Sequence, residues 1–315
     1  MSSASPGSPG PSRSPASSRS PGSSRSPGAA RSSGRRGLPE HADVLDNPLP
    51  VDVVDNHVHL DITREGDEPL EVAEAIARAR AVGVTRLVQV GCNLDGIAFT
   101  MEAIERHPEI VGAIALHPND VPRLAAAGRL SAAYDTVDRL SVHERVRAIG
   151  ESGLDYYRTG PEGIDIQQDG FRWHIDLAKR RGLALQIHDR DAHDDVLRIL
   201  DEEGAPARTV LHCFSGGAAM ARECVDRGYY LSFAGTVTFT NARSLREALA
   251  VVPLEQLLVE TDAPYLTPHP HRGATNASFL MPYTVRAMAA VRGMDVPTLC
   301  RAVAENSERV YGPWS

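Results

Sequence analysis

The sequence predicts an α/β protein, a single (β/α)₈ barrel, and three observations predict it. Eight short apolar runs, with the segments that follow them, occupy about 270 residues, stretches of helical spacing closed by glycine lie between several of the runs, and polar residues follow the runs. The runs are Val51 to Asp55, Arg86 to Val90, Ile110 to Leu116, Val146 to Gly150, Ala184 to Ile187, Thr209 to Leu211, Tyr229 to Phe233 and Leu257 to Glu260. Each has the length of a strand buried on both faces. Phe171, Ile175 and Ala178 ahead of Gly182, and Val196, Ile199 and Leu200 ahead of Gly204, read as helices ending at a glycine cap. A doubly wound open sheet is the structural alternative, but no glycine-rich phosphate loop follows the first run.

Ahead of the first run the composition changes. Ser-Arg-Ser-Pro occurs at Ser12 to Pro15, Ser18 to Pro21 and Ser24 to Pro27, among Gly, Ala and Ser. Such a segment has too little apolar surface to offset the entropy of ordering, so residues 1–44 are expected to be a disordered tail and 45–315 the barrel domain. Regular Pro and Gly also argue against the amphipathic helix of an organelle transit peptide.

Charge is divided in the same way. Residues 1–39 hold six arginines and no acid, so the formal net charge of −8 leaves −14 on the remainder. A body that acidic argues against broad binding of duplex DNA, which requires many phosphate contacts from Lys or Arg. With 315 residues, 42% of them hydrophobic, the chain can bury a full core. It has no run of roughly 18 apolar residues, and the first forty residues lack the apolar run of a secretory signal, which predicts a soluble cytoplasmic protein without a membrane partner. No stable protein partner is inferred. Cys92, Cys213, Cys224 and Cys300 form no CxxC pair and read as reduced thiols.

Barrel enzymes build their sites at the carboxyl ends of strands, so the residues that terminate the runs carry the chemistry. The first run leads into Asp55-Asn56-His57-Val58-His59, where strand alternation puts His57 and His59 on one side. Later runs lead into Glu151, His188, His212 and Asp262. Six N and O donors exceed the needs of one tetrahedral ion, so two divalent cations are expected, with Zn, Mn, Fe and Mg all compatible. Glu151 is the candidate bridge between them and Asp262 the candidate general base. Lys179, the single lysine, lies inside a predicted helix, which excludes a carbamylated-lysine bridge. His117, Arg190, His271 and Arg272 are candidate substrate contacts, the arginines because a guanidinium fork matches phosphate oxygens.

These segments, Asp55 to His59, Gly150-Glu-Ser-Gly-Leu-Asp-Tyr-Tyr157, His188-Asp-Arg-Asp-Ala192, Leu211-His-Cys-Phe-Ser-Gly216 and Glu260-Thr-Asp-Ala-Pro-Tyr-Leu266, resemble the TatD family of metal-dependent deoxyribonucleases. The resemblance spans Val51 to about Gly312. It implies a TIM barrel and a metal-dependent phosphodiesterase that trims single-stranded DNA ends from 3′ to 5′. It also implies His57, His59, Glu151 and Asp262 at one metal, and Glu151, His188 and His212 at the other. Ala274 and Ser278 depart from the family pattern, where lysine and proline are common. A carbonyl ester hydrolase, such as a D-aminoacyl-tRNA deacylase, is the alternative chemistry. A non-catalytic metal-binding scaffold is disfavoured because no ligand is missing.

Overall fold

The computed structural model describes residues 37–39 and 42–314. Most of the segment expected to be disordered, residues 1–36, lies outside the described residues. In the part that is described, the Gly37 carbonyl accepts a 3.0 Å hydrogen bond from the Thr275 N–H, and Val44 is buried.

The elements in chain order are α1 (Ala42–Leu45), β1 (Val53–Val58), α2 (Val72–Arg80), β2 (Val84–Gly91), α3 (Leu94–Arg106) and β3 (Ile110–Ile114). There follow α4 (Asp120–Ala126), α5 (Leu130–Leu140), β4 (Val146–Asp155), α6 (Pro161–Arg181), β5 (Ala184–Arg190) and α7 (His193–Glu203). The chain continues through β6 (Thr209–Leu211), α8 (Ala218–Asp226), β7 (Tyr230–Phe233), α9 (Arg243–Val251), β8 (Leu257–Val259), α10 (Met281–Arg292) and α11 (Val296–Tyr311). All eight strands pair in parallel, in the order β1 to β8. Closure occurs where the chain leaves β8. The Asp262 N–H donates to the His57 carbonyl and the His59 N–H to the Ala263 carbonyl, each at 2.9 Å, while Asn56 Nδ2 donates to the Val259 carbonyl at 2.7 Å.

Alternation along the strands divides two cores. Val54, Val88, Val90, Val111, Ala113, Ala148, Ala184, Val210 and Leu258 fill one cluster, and the bulkier Leu87, Ile110, Ile114, Ile149, Leu185 and Leu211 pack in the other with helix residues such as Ile97, Ile104, Phe171 and Val196. Tyr311 and Trp314 belong to the first cluster, and the Tyr311 hydroxyl accepts from Gln186 Nε2 at 2.7 Å. Small side chains therefore occupy the confined barrel interior and long ones the sheet–helix interface. Gly182, at φ 60°, ends α6 as the spacing predicts.

Four strands run further than their apolar runs. β1 reaches Val58, β2 reaches Gly91, β4 reaches Asp155 and β5 reaches Arg190; in the last two, Ser152 to Asp155 stay in register with Ile187 to Arg190, where mostly polar residues give little apolar signal. Just before that stretch, Ile149 pairs with Leu185 and Ser152 with Ile187, so Gly150 and Glu151 stand opposite Gln186 alone. Such a bulge re-aims a side chain. The close approach requires glycine, since a Cβ on Gly150 would lie 2.5 Å from Gln186 Cβ. Gly153, at φ 137°, is tighter still, with a Cβ falling 2.1 Å from the His188 carbonyl oxygen. Gly153→Ala is therefore expected to force β4 and β5 apart, and a melting temperature within a degree or two of the wild type would contradict this packing.

His174 of α6 supports the exit of β3. The Leu116 N–H donates to its Nε2 at 3.1 Å, so Nδ1 carries the proton and donates to the Gly170 carbonyl at 2.7 Å. Burial lowers its pKa from 6.5 to about 4. Because the unfolded chain takes up the proton first, this contribution is complete above pH 6.5 and is lost as pH falls towards 4, to the extent of about 3 kcal/mol. His174→Gln, which retains an acceptor but does not titrate, is expected to flatten the fall of thermal stability across that window; unfolding scans of both proteins check it.

Candidate metal centre

The site begins with a buried carboxylate that serves as scaffold. Asp55 accepts hydrogen bonds from the Thr261 N–H at 2.9 Å, the Thr261 hydroxyl at 2.5 Å and the Ser278 hydroxyl at 2.7 Å. Burial nevertheless pushes its pKa up to about 7. This knot ties β1 to the segment leaving β8 and employs Ser278, a position where the sequence departs from the family pattern. Next to it, Asp262 sits at φ 54°, a left-handed conformation that aspartate tolerates better than most residues.

His57, His59, Glu151, His188, His212 and Asp262 come together at the carboxyl ends of the strands. His57 Nε2 and His59 Nε2 are 3.2 Å apart, both lie 3.7 Å from Glu151 Oε2, and they lie 3.9 and 3.6 Å from Asp262 Oδ1. Four donors surrounding a tetrahedral cation at 2.0–2.2 Å stand roughly 3.3–3.6 Å from one another. The observed spacings bracket that range, so this donor set fits a divalent ion. The other oxygen of Glu151, Oε1, lies 2.6 Å from His188 Nδ1 and 2.9 Å from His212 Nε2. One carboxylate thus faces two separate sets of imidazole nitrogens.

Electrostatics inside the cluster point the same way. Burial would raise the Glu151 carboxyl, but the neighbouring His212, His117 and His188 outweigh it and hold it well below the usual range. Burial also disfavours charge on His59 and His188, yet Asp262 and Glu151 raise the first to about 9, and Asp155 and Glu151 raise the second to about 9. His212 is raised by Glu151 and Glu260 against the same penalty, whereas burial and the charge of His212 lower His57 to about 4. The carboxylates demand compensating positive charge. Protons on imidazole supply it in the absence of metal, and divalent cations supply the same charge through the same nitrogens.

Hydrogen bonds to the far ring nitrogens sort the histidines by role. His59 Nδ1 donates to the Val90 carbonyl at 3.0 Å, and His212 Nδ1 faces the Glu260 carboxylate at 3.1 Å. In the neutral ring each then presents an Nε2 lone pair to the cluster, the tautomer of a metal ligand with an oriented outer partner. Glu260 is itself fixed by the Cys213 N–H at 2.6 Å. His117 is the reverse case. Its Nδ1 accepts the Asn119 N–H at 3.1 Å, so the proton sits on Nε2, which points towards Glu151 Oε1 at 3.6 Å. It is a donor.

The remaining sequence candidates separate. A cleft of about 480 Å³ at the barrel mouth is lined by His59, His117, Glu151, His188 and Asp262, together with Cys92, Arg158, Arg190 and Tyr265. Arg190 stacks over the Tyr157 ring at 3.8 Å and, among the described residues, has no carboxylate partner. His271 instead meets the Tyr283 hydroxyl at 3.1 Å and Arg272 stacks on Phe239 at 3.8 Å; neither lines the cleft. Asp155, Glu260 and Asp55 escape the sequence reading. Asp155 shares its strand face with Glu151 by alternation, a signal hidden because the apolar run stops at Gly150.

Eight parallel strands enclosing a histidine–carboxylate cluster able to hold metal define a metal-dependent hydrolase barrel. Residues 54–312 match the family described as TatD related DNase, and the chain belongs to that family. It is 46% identical over 264 residues to the metal-dependent hydrolase TatD of Mycobacterium tuberculosis, covering 82% of this chain and 98% of that one. It is 42% identical over 259 residues to the metal-dependent hydrolase YabD of Bacillus subtilis, covering 82% and 98%. The crystal structure of YjjV, a TatD homologue of Escherichia coli, superposes with a TM-score of 0.74 at 25% identity, covering 83% of this chain and 98% of that one.

Asp155 accepts from Asn119 Nδ2 and the Arg158 N–H, both at 2.9 Å, and lies in ion-pair contact 3.3 Å from His188 Nε2, without the alignment of a hydrogen bond. Asp155→Asn keeps the size but removes the charge that orients His188. Titration calorimetry with a divalent metal is expected to show a loss of about 10- to 100-fold in affinity at one site. Unchanged binding would deny Asp155 that role.

Proposed function

We propose that the chain hydrolyses phosphodiesters of DNA, trimming single-stranded 3′ ends, with two divalent cations shared among His57, His59, Glu151, His188, His212 and Asp262. The observation that carries this reading is the two-sided environment of Glu151, with Oε2 towards His57 and His59 and Oε1 towards His188 and His212. The family description supports the substrate. When bound, a pair of cations polarises phosphoryl oxygens and makes a water acidic enough to attack at neutral pH.

The chain's own residues have distinct tasks in this reading. Asp262 orients the attacking water and accepts its proton. His117, protonated at Nε2, donates to a phosphate oxygen as negative charge grows on it. Arg158 and Arg190, at the cleft wall, hold the flanking phosphates by charge-assisted hydrogen bonds, a local grip suited to a body that is acidic overall.

A cleavage assay on 3′-labelled single-stranded and duplex DNA, with Zn, Mn, Fe and Mg in turn and a simple aminoacyl ester in parallel, tests the substrate. Metal-dependent loss of the 3′ label from single strands is expected. Ester cleavage with untouched DNA would overturn the reading in favour of a carbonyl ester hydrolase. Glu151→Gln is expected to lose at least one metal per chain and to slow turnover on the order of a hundredfold or more, while His212→Ala, which strips one ligand from one ion, is expected to recover partly in excess metal. Elemental analysis beside single-turnover cleavage checks both; two metals retained with near-normal turnover in Glu151→Gln would refute the bridge.

A further inference from the structure

Among the described residues, four large hydrophobic side chains are exposed: Leu45, Val142, Tyr157 and Tyr265. Two of the four are tyrosines, 65% and 45% exposed; Tyr265 lines the cleft itself, and Tyr157 stands beside it, its ring under Arg190, which lines the cleft. Tyr157 follows β4, and Tyr265 follows β8. In a closed sheet ordered β1 to β8 these strands stand on opposite sides of the barrel, so the segments that carry the two rings leave it on opposite sides.

Both rings project from immobilised backbone. The Tyr265 N–H donates to the Asp262 carbonyl at 2.8 Å and its own carbonyl accepts from Asn276 Nδ2 at 2.6 Å. On the other side, the Tyr156 N–H donates to the Arg190 carbonyl and the Arg158 N–H to Asp155 Oδ1, both at 2.9 Å, so Tyr157 lies between two anchored residues. Arg190 covers one face of the Tyr157 ring at 3.8 Å. Flat aromatic faces held rigidly in water beside cationic side chains are the elements of a single-strand binding track, in which bases stack on the rings and guanidinium groups follow the backbone.

Resting on the phosphodiesterase reading above, we propose that Tyr157 and Tyr265 are stacking platforms for two different bases of one strand laid across the mouth, with the scissile phosphate over the metal cluster between them. Because the platforms lie across the barrel from each other, one base cannot occupy both. The site therefore engages more than one nucleotide, and bases unpaired from a complement are what it recognises.

The test is fluorescence anisotropy of the full-length, metal-loaded protein with a labelled, short phosphorothioate strand that resists cleavage, in base-bearing and abasic forms. Tyr157→Ala and Tyr265→Ala are each expected to weaken binding of the base-bearing strand about tenfold, within the range of base–aromatic stacking, and to leave binding of the abasic strand unchanged. Tyr157→Phe and Tyr265→Phe, which keep the ring, are expected to bind as the wild type. Equal weakening on both strands, or no weakening by either alanine variant, would overturn the proposal. Since binding is read without turnover, ring-dependent grip of this strand, together with no loss of label from the unmodified strand in the cleavage assay above, would sink the nuclease reading and leave the platforms standing.

Discussion

An ionised carboxylate carried into the middle of a barrel must be met by positive charge or by donors on every side, and Glu151 is met by imidazoles on both oxygens. Much of the upper barrel is arranged around that requirement. The bulge opposite Gln186 turns Glu151 towards the axis, and Gly150 and Gly153 let β4 pass close enough to β5 for His188 to reach it. The acidic outer partners of His188 and His212 then hold the rings in place, at the expense of further buried negative charge. Such a cluster of carboxylates and imidazoles is able to hold metal.

The same seam that closes the sheet also builds the site. Hydrogen bonds from the Asp262 and His59 amides join β1 to the chain leaving β8, and the Asp55 knot with Thr261 and Ser278 lies directly beneath. Closure and placement of His57, His59 and Asp262 are therefore one structural event. The lower interior, filled by Val and Ala and floored by Tyr311 and Trp314, supplies the apolar stability that an upper layer of charged groups does not.

Around the mouth, function is distributed by tautomer and by charge. Histidines whose Nδ1 is tied to a carbonyl or carboxylate offer lone pairs inward, and His117, whose Nδ1 accepts an amide, offers a proton. At the rim, Arg158 and Arg190 bring positive charge to the cleft of a chain whose body is negative overall.

Much of this was legible from residue order alone. Apolar runs fixed the number and sequence of strands, because burial on both faces leaves an unmistakable pattern, and the polar residues that followed them marked His57, His59, Glu151, His188, His212 and Asp262 as one group at one end of the barrel. Sequence did not show that β4 continues to Asp155, since pairing with β5 there is made by backbone and not by apolar side chains. Nor did it distinguish Arg190, which reaches the cleft, from His271 and Arg272, which pack on Tyr283 and Phe239. The buried supports Asp55, Asp155 and Glu260 were equally silent, for a carboxylate acquires its role only from the donors that surround it in space. Local pattern determined the fold and the residue types at the strand ends; the tertiary structure alone decided which nitrogen of each histidine faces inward and what each carboxylate touches, because those depend on partners far away along the chain.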